Sequence, residues 1–250
     1  MISVIIIAKN EEKNIEDCIR SVEWADEIVV VDGESTDNTQ LLAKKFRNVN
    51  LIVNKFEGYT SQRRLALKSA THPWIFSIDA DERATPELRD EIINTINQNK
   101  YDGLRIPRKS FFLDKWIKHC GWYPGYQMRL FRKNQVTVSE RLVHEGYEVK
   151  GEIGFLKNDI LHYTVTSIED YMERVNRYST LQALEKMRNK KVKFHDVFLR
   201  PPAAFFQHFF LKMGFLDGVH GLMVSYFDMV TNMLTYMKIY EFQTGKKKGE

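Results

Sequence analysis

Trp74-Ile75-Phe76-Ser77-Ile78-Asp79-Ala80-Asp81-Glu82 is the stretch whose reading decides the fold. Residues 74–78 read as a buried strand, and the chain then turns at once to carboxylates. A well-marked helix follows: Thr85 is placed to cap it, Pro86 takes its first position, and Leu88, Ile92 and Ile96 face inward. The same rhythm holds upstream. Ser3–Ala8 is a β-branched strand, and Ile15, Cys18, Ile19 and Val22 follow at helical spacing. Ile28–Val31 is the next strand, and Asp37–Phe46 a helix with Leu41, Leu42 and Phe46 inward. Leu51–Val53 is a short strand and Leu65–Ala70 part of a helix. Strands alternating with helices predict βαβ units and a mainly parallel, doubly wound α/β sheet.

Beyond Leu104–Ile106 the alternation breaks. Residues 107–165 are rich in aromatic and basic residues and carry short β-like pieces at Gln135–Val138 and Tyr147–Lys150. A helix begins at Ser167, with Asp170 as capping-box partner and Ile168, Tyr171, Met172, Val175 and Tyr178 as its core stripe. Pro201-Pro202 reads as a boundary, and a Met- and Phe-rich tail follows it.

Composition narrows the function. The chain has 250 residues, 43% hydrophobic and 28% charged, enough for one large domain or a domain with an appendage. Cys18 and Cys120 lie far apart without metal-ligand spacing. That argues against a disulfide framework or a zinc site and suits a reducing compartment. Met1–Ile7 lacks the basic flank and cleavage site of a signal peptide and is expected to be the first strand. A net charge of +4 does not imply nucleic acid, and no DNA- or RNA-binding motif is present. Residues 100–150, however, hold eleven Lys and Arg against five Asp and Glu, interleaved with Phe111, Trp116, Trp122 and Tyr126. That mixture suits an anionic or sugar-bearing partner.

In an open parallel sheet, ligands bind outside the carboxyl ends of the strands. Three strand ends deliver polar residues there: Ala8-Lys9-Asn10-Glu11-Glu12, Asp32-Gly33-Glu34-Ser35-Thr36-Asp37, and Asp79-Ala80-Asp81-Glu82. Asp37 alone could be a helix cap. Asp-x-Asp after a buried strand can hold a hard cation, Mn²⁺ or Mg²⁺, whose other ligands are phosphates and water. Such a cation would stabilise the charge that builds on a nucleoside diphosphate as a sugar leaves it.

Those three motifs resemble the family 2 glycosyltransferases of the GT-A fold. Gly121-Trp122-Tyr123-Pro124, Arg129-Leu130-Phe131, Val143-His144-Glu145, Leu161-His162-Tyr163 and Asn176-Arg177-Tyr178-Ser179 narrow the resemblance to lipopolysaccharide core β-1,4-glucosyltransferases, over residues 1 to about 240. The resemblance implies an inverting transfer from a UDP-sugar, UDP-glucose, to a lipid-linked or lipopolysaccharide core saccharide. It places the enzyme in the cytoplasm, at the inner face of the cytoplasmic membrane. It puts uracil recognition on Asp32, base and ribose contacts on backbone near Ala8 and Asn10, a nucleotide contact on Glu11 and a diphosphate contact on Arg63. Arg64 stands where the family usually has Asn, and Gly33 where Asp or Ser is common. Asp81 becomes the metal ligand and Asp79 the residue nearer the ribose.

Inverting transfer also needs a base for the acceptor hydroxyl. Glu145 is the candidate, against an ion pair with Arg141; Asp114 and Glu140 are weaker ones. His144 and His162 could complete a metal shell; a core hydrogen bond is the favoured reading for His162, and His144 stays open. Trp122 and Tyr123 read equally as a platform under a sugar ring or as core. Residues 1–165 are then the catalytic domain, with 1–106 its nucleotide-sugar half and 107–165 its acceptor half, and residues 166–250 are a helical extension.

In that extension Val219, Leu222, Met223, Tyr226, Val230, Met233, Leu234 and Met237 form a helical stripe. No uncharged stretch approaches the ~20 residues that span a bilayer. The helix either packs on protein or makes a peripheral membrane contact, with Phe205, Phe206, Phe209, Phe210 and Lys246–Lys248 assisting. The competing functions are a sugar-1-phosphate nucleotidyltransferase and a non-catalytic sugar-nucleotide-binding protein. The first needs glycines that Lys9–Glu12 lacks, and Asp79, Asp81 and Glu145 speak against the second.

Overall fold

The expected alternation is present as β1 (Ile2–Ala8), α1 (Ile15–Ser21), β2 (Glu27–Asp32), α2 (Thr39–Ala43), β3 (Val49–Val53), α3 (Tyr59–Ser69), β4 (Trp74–Asp79), β5 (Glu82–Ala84) and α4 (Pro86–Asn97). Then come β6 (Gly103–Ile106), β7 (Arg108–Phe112), β8 (Lys115–Trp116), β9 (Gln127–Arg132), β10 (Val136–Val138), β11 (Tyr147–Val149), β12 (Ile153–Phe155) and β13 (Ile160–Val165). Three long helices close the chain: α5 (Ile168–Met187), α6 (Phe194–Phe206) and α7 (Val219–Thr244). The computed structural model describes residues 1–139, 146–187 and 192–244. They fall into two compact units: Met1–Lys109 with 125–139 and 146–164, and Ser110–Pro124 with the residues from Val165 onward.

The first unit is built on a seven-stranded sheet of order β12-β6-β9-β4-β1-β2-β3. Every pairing is parallel except those of β9, which is antiparallel to both β4 and β6. The sheet is covered on both faces, which is why β1 and β2 are apolar almost throughout. Val4 and Ile6 pack on one side with Ile19 of α1 and Leu88 and Ile92 of α4. Ile5, Val29 and Val31 pack on the other with Ala66 of α3, Phe131 and Tyr147. Thr85 caps α4 as expected: its Oγ1 accepts from Leu88 N at 3.1 Å. Leu41 departs from expectation and is exposed. Helix α2 is only five residues long, and its inward positions are Thr39 and Ala43, which leaves Leu41 between them on the outer side.

In the second unit Phe112, Ile117, Cys120, Val175, Val224 and Phe227 form the core. Two local expectations fail here. Pro201 and Pro202 lie inside α6 rather than at a boundary. A proline's fixed φ is compatible with a helix, but its missing N–H costs a bond and its ring crowds the carbonyl four residues back, so α6 continues through the pair against that cost. Helix α5 buries Val175, Ser179 and Ala183, whereas Ile168, Met172 and Tyr178 are exposed. Helix α7 buries Val224, Phe227, Tyr236 and Ile239 together with Gly221, Ser225 and Thr235, and of its apolar stripe it exposes Val219, Leu222, Met223, Tyr226 and Met237. Ser179, Ala183, Gly221 and Ser225 let the helices approach closely, so small side chains share the packing face with the apolar ones.

Candidate active site

Parallel pairing aligns the three motif-bearing strand ends. Ala8 lies opposite Asp32 across β1 and β2, and Ile7 opposite Asp79 across β1 and β4. All three loops therefore leave the same edge of the sheet.

The first two loops are laced together. Gly33 N donates to Ala8 O at 2.8 Å. Asn10, in the left-handed region at φ 56°, donates from its N to Ser35 Oγ and accepts from Thr36 N, each at 2.8 Å. Glu11 N donates to Thr39 Oγ1 at 2.8 Å, and Glu12 N to Asp37 Oδ2 at 3.1 Å. Asp37 is partly a cap: it accepts from both the N and the Oγ1 of Thr39. Burial would raise its carboxyl, but these donors hold it below its ordinary value. Asp32 is fully buried; it accepts from Ser35 N at 2.9 Å, Ser35 Oγ at 2.5 Å and Gln40 Nε2 at 2.7 Å. A carboxylate has about four acceptor positions, and three here serve the loop. Gly33 also gains a reason. A Cβ there would stand 2.9 Å from Phe56 Cδ2, and Lys9 Nζ sits 4.6 Å from the centre of that ring.

The third strand end carries a buried ionic cluster. Arg129 of β9, 5% exposed, donates through Nη2 to Asp79 Oδ2 and to Glu82 Oε1, the latter at 2.7 Å. Glu82 is fully buried; its Oε2 accepts from Asp79 N at 2.9 Å, and Arg108 Nη1 lies 3.5 Å from its Oε1. Burial would raise the Asp79 carboxyl, but Arg129, with Arg63 and Arg108 further off, holds it well below the usual carboxylate range. Among the described residues no acceptor meets Arg129 Nε or Arg108 Nε. Arg63 stands 5.9 Å from the ring of Tyr147, whose hydroxyl is 3.0 Å from Ser77 Oγ.

Asp81 faces a different partner. Strand β13 runs antiparallel to β5 with His162 opposite Glu82, and this sets His162 Nε2 3.3 Å from Asp81 Oδ2. His162 is buried, as a core histidine would be, yet its neighbour is the expected metal ligand.

The structure thus gathers Ala8, Asn10, Glu11, Asp32, Arg63, Asp79 and Asp81 at one edge. It adds Glu82, Arg108, Arg129, Tyr147 and Phe56, to which the sequence reading gave no role. Glu82 adjoined the Asp-x-Asp stretch and Arg129 opened the Arg-Leu-Phe motif, so both signals were in view. Glu145, Glu140, His144 and Arg141 lie outside the described residues. Asp114, Trp122 and Tyr123 belong to the second unit. There Asp114 is exposed in the β7–β8 turn, Trp122 packs edge-on against Phe112 at 6.2 Å, and Tyr123 does so against Trp116 at 5.2 Å.

The chain is similar to known glycosyltransferases. The lipopolysaccharide core biosynthesis glycosyltransferase LpsC of Rhizobium meliloti (strain 1021) is 29% identical over 96% of this chain and 92% of its own length. An uncharacterized glycosyltransferase of Rickettsia typhi (strain Wilmington) is 31% identical over 96% of this chain and 87% of its own. Among solved structures, residues 1–349 of Staphylococcus aureus TarS in complex with UDP-GlcNAc superpose with a TM-score of 0.51. That match has 18% identity and covers 99% of this chain and 93% of that one. The likeness is one of fold, the GT-A fold. The model of Glycosyl transferase family 2 matches residues 3–144, which take in all three strand ends and Arg129. With those strand ends at one sheet edge, the chain belongs to glycosyl transferase family 2.

Proposed function

We propose that this enzyme is an inverting glycosyltransferase that moves a sugar, glucose from UDP-glucose, onto a lipid-linked or lipopolysaccharide core saccharide. The observation that carries the proposal is the Asp81–His162 pair at the sheet edge where the nucleotide loops converge. The name of LpsC, similar over nearly the whole of both chains, supports the acceptor class. In this reading residues 1–165 are the catalytic domain, and residues 166–250 are an extension that works in peripheral contact with the cytoplasmic membrane.

Asp81 and His162 fit a divalent cation. Two ligands each about 2.1 Å from one ion and at right angles stand about 3 Å apart, close to the 3.3 Å seen here. An imidazole beside the carboxylate weights the choice from Mg²⁺ toward Mn²⁺. When bound, the cation neutralises the charge that develops on the departing diphosphate. The remaining work falls to the protein. Arg129 and Glu82 fix Asp79 so that its other oxygen can hold a ribose hydroxyl, and Arg63 faces the diphosphate. Backbone at Ala8 and Asn10 and the side chain of Glu11 contact the nucleoside. Asp32 shapes the Gly33–Asn38 loop around uracil with the acceptor position that Ser35 and Gln40 leave. Glu145 takes the proton from the acceptor hydroxyl.

The test is UDP release from UDP-glucose with a lipopolysaccharide core acceptor, with Mn²⁺ and with EDTA. Release that needs the acceptor and is lost with EDTA supports the reading. Full turnover in EDTA would remove the cation from it, and formation of UDP-glucose from glucose-1-phosphate and UTP would replace it with nucleotidyl transfer.

A further inference from the structure

Helix α6 and the first turns of α7 leave large apolar side chains exposed. In α6 Asp196 is buried, while Phe194, Phe198 and Phe206 are exposed. In α7 Val224 and Phe227 are buried beside Gly221 and Ser225, while Val219, Leu222, Met223 and Tyr226 of its first turns are exposed. The connection between the two helices carries the same character: Leu211 is 68% and Leu216 57% exposed, with Phe210 and Phe215 beside them in sequence and also exposed. A soluble monomer seldom leaves so many large apolar side chains in water.

The connection cannot turn these side chains inward, because its backbone is pinned from the other side. Asp217, itself buried, accepts from His119 N at 2.8 Å and lies 3.1 Å from His119 Nδ1. Lys115 Nζ donates to the Asp217 carbonyl at 2.9 Å, and Cys120 N to Lys212 O at 3.0 Å. Gly221 closes against Gly214, where a Cβ would stand 1.8 Å from the Gly214 carbonyl oxygen. The polar contacts thus lie inward and the apolar side chains outward, in fixed positions.

Charge selects the occupant. From Lys193 to Tyr226 there are two acids, Asp196 and Asp217, and both are buried. The exposed charges of that stretch are cations, Lys193 and Arg200, the second paired with the buried Asp196 at 2.6 Å, so no acid faces outward there. A symmetric contact with a second copy would set these cations against their own kind. An anionic bilayer complements them while its acyl boundary takes the phenylalanines and leucines. No described helix is long and apolar enough to cross a membrane. We infer that the outer surface of α6, the 207–218 connection and the start of α7 docks on an anionic lipid bilayer, with the connection entering the headgroup–acyl boundary. This deepens the lipid-linked acceptor of the proposed function by naming the surface and the lipid charge that hold the enzyme beside it.

The test is flotation of the full chain with vesicles of phosphatidylcholine alone and of equal parts phosphatidylcholine and phosphatidylglycerol, without donor or acceptor. The wild type should float with the mixed vesicles and release as salt is raised. L211S/L216S, both changes at exposed positions, should keep its melting temperature and lose on the order of tenfold or more in partitioning. K193E should weaken binding to the mixed vesicles only. The inference is overturned if the wild type stays with neither vesicle, or if L211S/L216S floats as the wild type does. It is also overturned if the wild type sediments as a dimer that L211S/L216S dissociates and neither protein binds lipid. Because no sugar is present, such a failure leaves the transfer reaction to be judged by UDP release alone.

Discussion

His162 Nε2 stands 3.3 Å from Asp81 Oδ2, held there by the antiparallel pairing of β13 with β5. Two strands distant in sequence thereby bring an imidazole and a carboxylate to one point at the edge where the three strand-end loops meet. A carboxylate alone binds a divalent ion weakly, and in the proposed mechanism His162 is the second ligand.

His162→Ala should therefore lower Mn²⁺ affinity in the presence of UDP by at least ~10–100-fold, the worth of even an outer-shell partner. Turnover should fall with it and recover in part at higher Mn²⁺, whereas Asp81→Asn should abolish turnover. Titration of free Mn²⁺ by electron paramagnetic resonance reads the affinity directly. Unchanged affinity in H162A would make the pair a plain hydrogen bond.

Arg129 is the counterion of two carboxylates, one of them fully buried. Replacing it with Met leaves Glu82 with Arg108 alone and should cost about 3–5 kcal/mol in denaturant unfolding, as removal of one partner from a buried pair does. Asp79 adds a pH signature. Its folded-state value lies below its ordinary 3.8, so the Arg129 contact stabilises fully above that ordinary value. The stabilisation is lost as pH falls through the depressed folded value. Stability should thus drop from about pH 4 downward, and Asp79→Asn should flatten that drop. An equal acid slope in both proteins would place the titration elsewhere.

The legible part of the protein was its local part. The two-sided burial of β1, β2 and β4 shows as unbroken apolar runs, and the Thr85-Pro86 start of α4 is a cap that sequence alone specifies. The strand-end carboxylates were visible because parallel pairing puts every strand's carboxyl end at one edge. Contacts made by strands far apart in sequence were not visible. His162 next to Asp81 and Arg129 next to Asp79 both depend on strand registers that no local pattern encodes. The face of α5 departs from its apolar stripe for another reason: periodicity reports the phase of a stripe, whereas the buried positions are Val175, Ser179 and Ala183, small enough for close helix approach.

Asp32 should select uridine through the loop it holds. Asp32→Ala removes the acceptor for Ser35 N, Ser35 Oγ and Gln40 Nε2. UDP affinity should fall by ~1–3 kcal/mol, the cost of losing charge-assisted hydrogen bonds. Amide hydrogen exchange should quicken in the Gly33–Asn38 loop in the same variant. Tight UDP binding with a loosened loop would separate the structural role from recognition, and equal binding of GDP and UDP by the unmutated protein would remove uracil selection altogether.

Glu145, the expected base, separates donor binding from acceptor chemistry. A residue that only deprotonates the acceptor hydroxyl makes no contact on which UDP-sugar affinity depends. Glu145→Gln keeps the shape of the side chain and removes only its basicity. Donor affinity should stay near that of the wild type while transfer slows by ~10²–10⁴, the usual worth of a positioned general base. Calorimetric titration with UDP-glucose measures the first quantity and single-turnover transfer the second. Normal transfer with lowered thermal stability would mark Glu145 as the ion-pair partner of Arg141. The base would then be sought at Glu140 or Asp114, by applying the corresponding Gln and Asn substitutions to the same two measurements.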